Sequence, residues 1–162
     1  MSSAVEAVEA LRAAGATVAT AESLTGGLVC ATLISVPGAS DVVRGGVVAY
    51  AAELKTTLLG VEPTLIAERG TVDADVASAM ATGARDRLSA TFGLATTGVA
   101  GPDPSEGKPP GTVHIAVAGP GGVVTALLDL SGDRDEVRRG TVGALLSLLV
   151  ATLGEESRTR RG

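Results

Sequence analysis

The stretch TVATAESLTGGLVCATLISVPG, Thr17 to Gly38, decides the fold. Thr17 to Ala21 is short, partly β-branched and apolar, the pattern of a buried strand. Leu24 to Val36 then reads as a helix, opened through Thr25-Gly26-Gly27 and stopped by Pro37-Gly38. A strand that passes at once into a helix predicts an α/β protein in which the two kinds of element lie in separate layers.

Working outward, Ala4, Val8 and Leu11 recur at helical spacing, which predicts a first helix over Ser3 to Ala14, stopped by Gly15. Val42 to Ala49 reads as a strand interrupted by Gly45-Gly46, and Ala51 to Leu59 as a short helix closed by Gly60. Asp73 is a helix N-cap, and Val76, Ala77, Met80, Ala84 and Leu88 trace one apolar face behind it. Thr91 to Thr97 is the next strand. Thr112 to Ala118 and Val123 to Leu130 form a hairpin through Gly119-Pro120-Gly121-Gly122, and Asp133 to Leu153 is a closing helix. No linker divides this series. The expected architecture is a single-domain, three-layer α/β/α sandwich with a mixed sheet over residues 1–154, followed by a charged, frayed tail over 155–162.

Composition excludes several function classes. The 162 residues carry a net charge of −5 and contain two aromatics, Tyr50 and Phe92. Nucleic-acid partners want a basic face and stacking platforms, so none is expected. One cysteine, Cys30, and one histidine, His114, leave no set of soft ligands, so neither a metal nor another cofactor is expected. Glu6 and Glu9 stand where a secretory signal needs basic residues, and the apolar runs near Gly26 and Gly143 are too short to span a bilayer. A soluble, cytoplasmic protein without a membrane partner is the expectation.

Chemistry has three places to sit. Ser23, Thr25, Gly26 and Gly27 lie between a strand and a helix, where backbone N–H groups and the helix dipole can hold an oxyanion or phosphate. Taken without other context, a plain helix cap is the simpler reading of Ser23 or Thr25. A serine nucleophile needs a base, and His114 alternates with Val113, Ile115 and Val117 on a strand, which disfavours a Ser-His-Asp triad. Lysine becomes a base when burial lowers its pKa, whereas arginine does not. Only Lys55 and Lys108 are available, and Lys55 has a plainer reading as a solvated helix residue paired with Glu53. Thr97, Gly98 and Gly101 form a glycine turn at a strand end, where open α/β sheets place ligands. Arg134, Arg138 and Arg139 open the last helix and could clamp a phosphate or simply pair with Asp133, Asp135 and Glu136.

The chain resembles the CinA C-terminal domain family, the nicotinamide-nucleotide amidohydrolases. The resemblance rests on AESLTGG (Ala21 to Gly27), VPGAS (Val36 to Ser40), GGVVAYAAELK (Gly45 to Lys55), ATTGVAGP (Ala95 to Pro102), KPPGTVHIA (Lys108 to Ala116) and GDRDEVR (Gly132 to Arg138). It implies hydrolysis of the carboxamide of nicotinamide mononucleotide to the nicotinate form and ammonia. Ser23 then corresponds to the nucleophile and Tyr50 and Lys55 to its assistants. It further implies substrate contacts from Thr97 and Arg138, with Ser40 near the same pocket, and a homo-oligomer; Thr25, Gly26, Gly27, Gly46, Gly98 and Gly101 complete the expected substrate-binding residues. Leu24 departs from the family's usual AESCTGG wording, and Ala51 and Ala52 from its more polar YSNEAK-like wording. A non-catalytic module that binds a nucleotide or a protein is the alternative.

Overall fold

Strand and helix alternate as far as Leu59, after which helices and then strands follow one another in series. The computed structural model describes residues 2–162. In chain order the elements are α1 (Ser3–Ala14), β1 (Val18–Glu22), α2 (Leu28–Ile34), β2 (Val43–Val48), α3 (Ala52–Leu59), α4 (Pro63–Arg69), α5 (Ala74–Arg87), β3 (Phe92–Gly98), β4 (Thr112–Gly119), β5 (Gly122–Asp129) and α6 (Arg134–Arg161). The five strands form one sheet in the order β2-β1-β3-β4-β5. The β1–β2 and β1–β3 pairs are parallel, while β3–β4 and β4–β5 are antiparallel.

Side chains alternate across this sheet and build two cores. Val18, Leu94, Val113, Ile115 and Val117 face Leu11 of α1, Leu33 of α2 and Leu145 and Leu149 of α6. The other face is made of small residues, Ala19, Ala21, Ala95, Ala116 and Ala118, packed on Met80 and Ala84 of α5 and Leu59 of α3. A chain with almost no aromatics fills its layers by close approach instead of bulk. Gly93 is the extreme case: a Cβ there would lie 1.9 Å from the carbonyl oxygen of Ala81, so α5 can rest directly on β3. Phe92 is 1% exposed and is core, as expected.

Three departures from the sequence reading bear on the site and its surroundings. Helix α2 begins at Leu28, because Gly26 and Gly27 adopt positive φ of 57° and 101° and keep Ser23–Gly27 as an irregular turn. Pro63–Arg69, unassigned in the sequence reading, is a helix with proline in its first turn and Gly70 at its end. Glu155 to Arg161, expected as a frayed tail, continue α6 without a break. That helix is long and apolar enough to cross a membrane by length and composition. Here Val137, Leu145, Leu146, Leu149 and Leu153 are instead buried against the sheet. A full capping box between Asp133 and Glu136 starts it.

Candidate active site

Because β1, β2 and β3 run parallel, their C-terminal ends open on one edge, with Glu22 beside both Val48 and Thr96. The chain leaves that edge through Ser23, through Ala49-Tyr50 and through the segment after Gly98. This is where open α/β sheets concentrate function.

The turn after β1 is held from four sides. Its Ser23 N–H donates to the Thr96 carbonyl at 3.1 Å, and the Thr25 and Thr96 hydroxyls meet at 2.8 Å. Arg138 donates from Nε to the Leu24 carbonyl at 2.9 Å and from Nη2 to the Thr25 carbonyl at 3.2 Å. Beneath it, the Glu22 carboxylate accepts from the backbone N–H groups of Val29 at 2.8 Å and Cys30 at 3.1 Å. Helix α2 has no side-chain cap at Gly27, so this buried carboxylate serves instead. Gly26 and Leu28 donate within the turn, to the carbonyls of Ser23 and Thr25. Among the described residues, the N–H groups of Leu24, Thr25 and Gly27 have no protein acceptor.

Lys55 comes from the first turns of α3 and is 1% exposed, which removes the reading as a solvated partner of Glu53. Its Nζ donates to Ser23 Oγ at 3.0 Å, to the Ala49 carbonyl at 2.7 Å and to the Tyr50 carbonyl at 3.3 Å. Burial pulls its amine down from the ordinary 10.5 to about 8, against the opposing pull of the Glu106 and Glu53 carboxylates. At pH 7 about a tenth of such an amine is neutral and able to accept a proton. Ser23 itself is 8% exposed.

Tyr50 meets Lys55 only through its carbonyl. Its ring is 62% exposed, and its hydroxyl accepts from Arg134 Nη2 at 3.2 Å. Arg134 Nη1 also donates to the Gly101 carbonyl at 2.6 Å, joining α6 to the segment after β3. A cleft of about 340 Å³ lies between them, with Leu24, Tyr50, Gly98, Gly101, Asp103 and Arg134 in its wall. The residue after Ser23 therefore borders the cleft, and Arg134, not Arg138, is the arginine that lines it.

Other expected site residues are placed elsewhere. Thr97 is buried and donates its hydroxyl hydrogen to the Thr71 carbonyl at 2.7 Å. Gly46 pairs with Thr20 within the sheet, and a Cβ there would lie 2.2 Å from Thr20 Oγ1, so packing alone accounts for a glycine at this position. Ser40 precedes β2 at the other end of the strand, about 20 Å from the edge that carries Ser23 at ~3.3 Å per residue. His114 sits on β4, two strands from β1, so no triad with Ser23 forms. Its Nδ1 is buried without a partner, and burial lowers its pKa. Sequence reasoning missed Glu22 and Thr96; the signal available was a polar side chain on each of two strands that otherwise read as fully buried.

The family model described as the CinA C-terminal domain matches residues 1–153. A CinA-like protein of Frankia casuarinae is 54% identical over 134 residues, 83% of this chain and 31% of that protein. This chain spans about a third of the length of the curated relatives it matches. Among solved structures, a CinA superfamily protein from Klebsiella pneumoniae superposes with a TM-score of 0.92 at 30% identity, covering 94% of this chain and 96% of that one. The competence/damage inducible protein CihA from Agrobacterium tumefaciens does so at 0.89 and 37%, covering 94% and 93%.

Proposed function

The chain belongs to the CinA C-terminal domain family, and from that membership and the Ser23–Lys55 contact we propose that it is an amidohydrolase acting on nicotinamide mononucleotide. The observation that carries the proposal is a buried amine 3.0 Å from a serine hydroxyl, with its pKa drawn down to about 8. A solvated lysine would stay protonated and useless as a base; this one is poised to work.

In the proposed cycle neutral Lys55 takes the Ser23 proton as Oγ bonds to the carboxamide carbon. The oxyanion so formed draws on the unpaired N–H groups of the Ser23–Gly27 turn, each well-placed donor contributing about 3–4 kcal/mol. Lys55 then returns the proton to the amide nitrogen, the C–N bond breaks, and ammonia leaves. Water adds to the acyl-enzyme with Lys55 again as base, releasing the carboxylate and restoring Ser23. Tyr50 contributes its carbonyl to Lys55 and its ring to the cleft wall; its hydroxyl belongs to Arg134.

Ammonia release from nicotinamide mononucleotide by the parent protein and its Ser23→Ala variant tests the proposal. Turnover by the parent and none by the variant is expected. Binding without turnover by the parent would identify a non-catalytic nucleotide-binding module.

A further inference from the structure

The cleft bordered by Leu24, the residue after Ser23, carries two opposite charges that form no ion pair with each other. Arg134 presents its guanidinium there, and its two acceptors, the Gly101 carbonyl and the Tyr50 hydroxyl, are both neutral. Three of its five N–H donors are therefore left for a ligand. Asp103 lines the same cleft and, among the described residues, makes no hydrogen bond or ion pair, to Arg134 or to any other cation. Two opposite charges in one small cleft are complementary to a ligand that itself carries both signs, held apart by a spacer.

We propose that Asp103 is a specificity-determining residue that selects a permanently cationic ring, while Arg134 takes the anionic end of the same molecule. The inference rests on the amidohydrolase reading. The pyridinium nitrogen of nicotinamide mononucleotide is positive at every pH, its phosphate is a dianion or nearly so, and ribose separates them. Asp103 then distinguishes an oxidised pyridinium nucleotide from its dihydropyridine form, which has the same phosphate and carboxamide and a neutral ring.

Three ligands separate the two charges: nicotinamide mononucleotide, its dihydro form, and nicotinamide riboside, which keeps the cationic ring and lacks the phosphate. Dissociation constants are measured by calorimetry on the Ser23→Ala protein, so that no ligand is consumed, and KM on the parent supplies a second readout for the mononucleotide. Asp103→Asn should weaken the mononucleotide and the riboside about fivefold each, the size expected of a solvent-accessible charge pair, and leave the dihydro form unchanged. Arg134→Gln should weaken the two phosphorylated ligands and spare the riboside. Equal loss for all three ligands in Asp103→Asn, or no loss for any, overturns the inference and leaves the amidohydrolase reading standing. Failure of the parent to bind the mononucleotide overturns both together.

Discussion

The amine of Lys55 stands 3.0 Å from the hydroxyl oxygen of Ser23, and neither group is more than 8% exposed. The two residues are 32 positions apart in the chain and on different layers, so β1 and α3 must both be in place before the contact exists. The other two hydrogens of Lys55 go to the carbonyls of Ala49 and Tyr50. Those carbonyls fix Nζ in position in both protonation states. Removal of one proton leaves a lone pair directed at Ser23 Oγ.

The first prediction concerns pH. Lys55 is a base only when neutral, and burial has lowered its pKa to about 8. kcat/KM for ammonia release should therefore rise with pH and reach half its plateau near 8. Stability carries the same signature. Between about 8 and the ordinary 10.5 the unfolded chain holds a proton on this amine that the folded protein lacks, so stability rises with pH across that window. A pH–rate profile flat from 6 to 9 would remove Lys55 from the mechanism.

Substitution separates charge from base. Ser23→Ala should lower ammonia release by about 10⁴-fold or more, since residues acting as one unit lose nearly everything when either is removed. Lys55→Arg should fail to a similar degree, because arginine retains its proton. Thermal unfolding of Ser23→Ala should stay within a few degrees of the parent, as the hydroxyl makes a single side-chain contact.

How far the sequence predicts all this depends on the kind of relationship involved. The layers were legible because buried strands and periodic helices carry their own spacing, and Ser23 was legible because it falls at a strand-to-helix junction. The state of Lys55 was not, since AAELKTT reads equally well as a solvent-facing helix and only the packing of α3 over the sheet edge buries it. Arg134 and Arg138 lie one turn apart on the same helix. Which of them grips the Ser23 turn and which lines the cleft is decided by where α6 crosses the sheet. Helix α4, between Pro63 and Gly70, has no fully buried residue and packs only Leu65 and Ile66 partly against the core, too short an apolar signal to read.

Glu22 should prove a stability residue with a functional consequence. Its carboxylate is 1% exposed and accepts from two helix N–H groups that have no other partner, with Thr20 donating a third, longer hydrogen bond at 3.4 Å. Glu22→Gln turns one acceptor into a donor aimed at a donor. Urea unfolding should show a loss of about 2 kcal/mol with an unchanged slope. A variant as stable as the parent would mean that the start of α2 is capped in some other way.

The last prediction turns on Gly46, which is expected from the sequence among the substrate contacts and which packing explains on its own. It pairs with Thr20 across β1 and β2, and a methyl group there would sit 2.2 Å from Thr20 Oγ1 and 3.2 Å from Cys30 Sγ. Thr20 is fully buried and β-branched, so it has little freedom to swing aside. Gly46→Ala should therefore cost about 2–3 kcal/mol of stability through overpacking. Thr20→Ala removes the obstructing oxygen, so the double variant should recover part of that loss, giving a favourable coupling energy of about 1 kcal/mol or more in a double-mutant cycle. Under the packing account KM measured well below the unfolding temperature stays near the parent value in both variants. A stable Gly46→Ala protein with a raised KM would instead return this glycine to the substrate site.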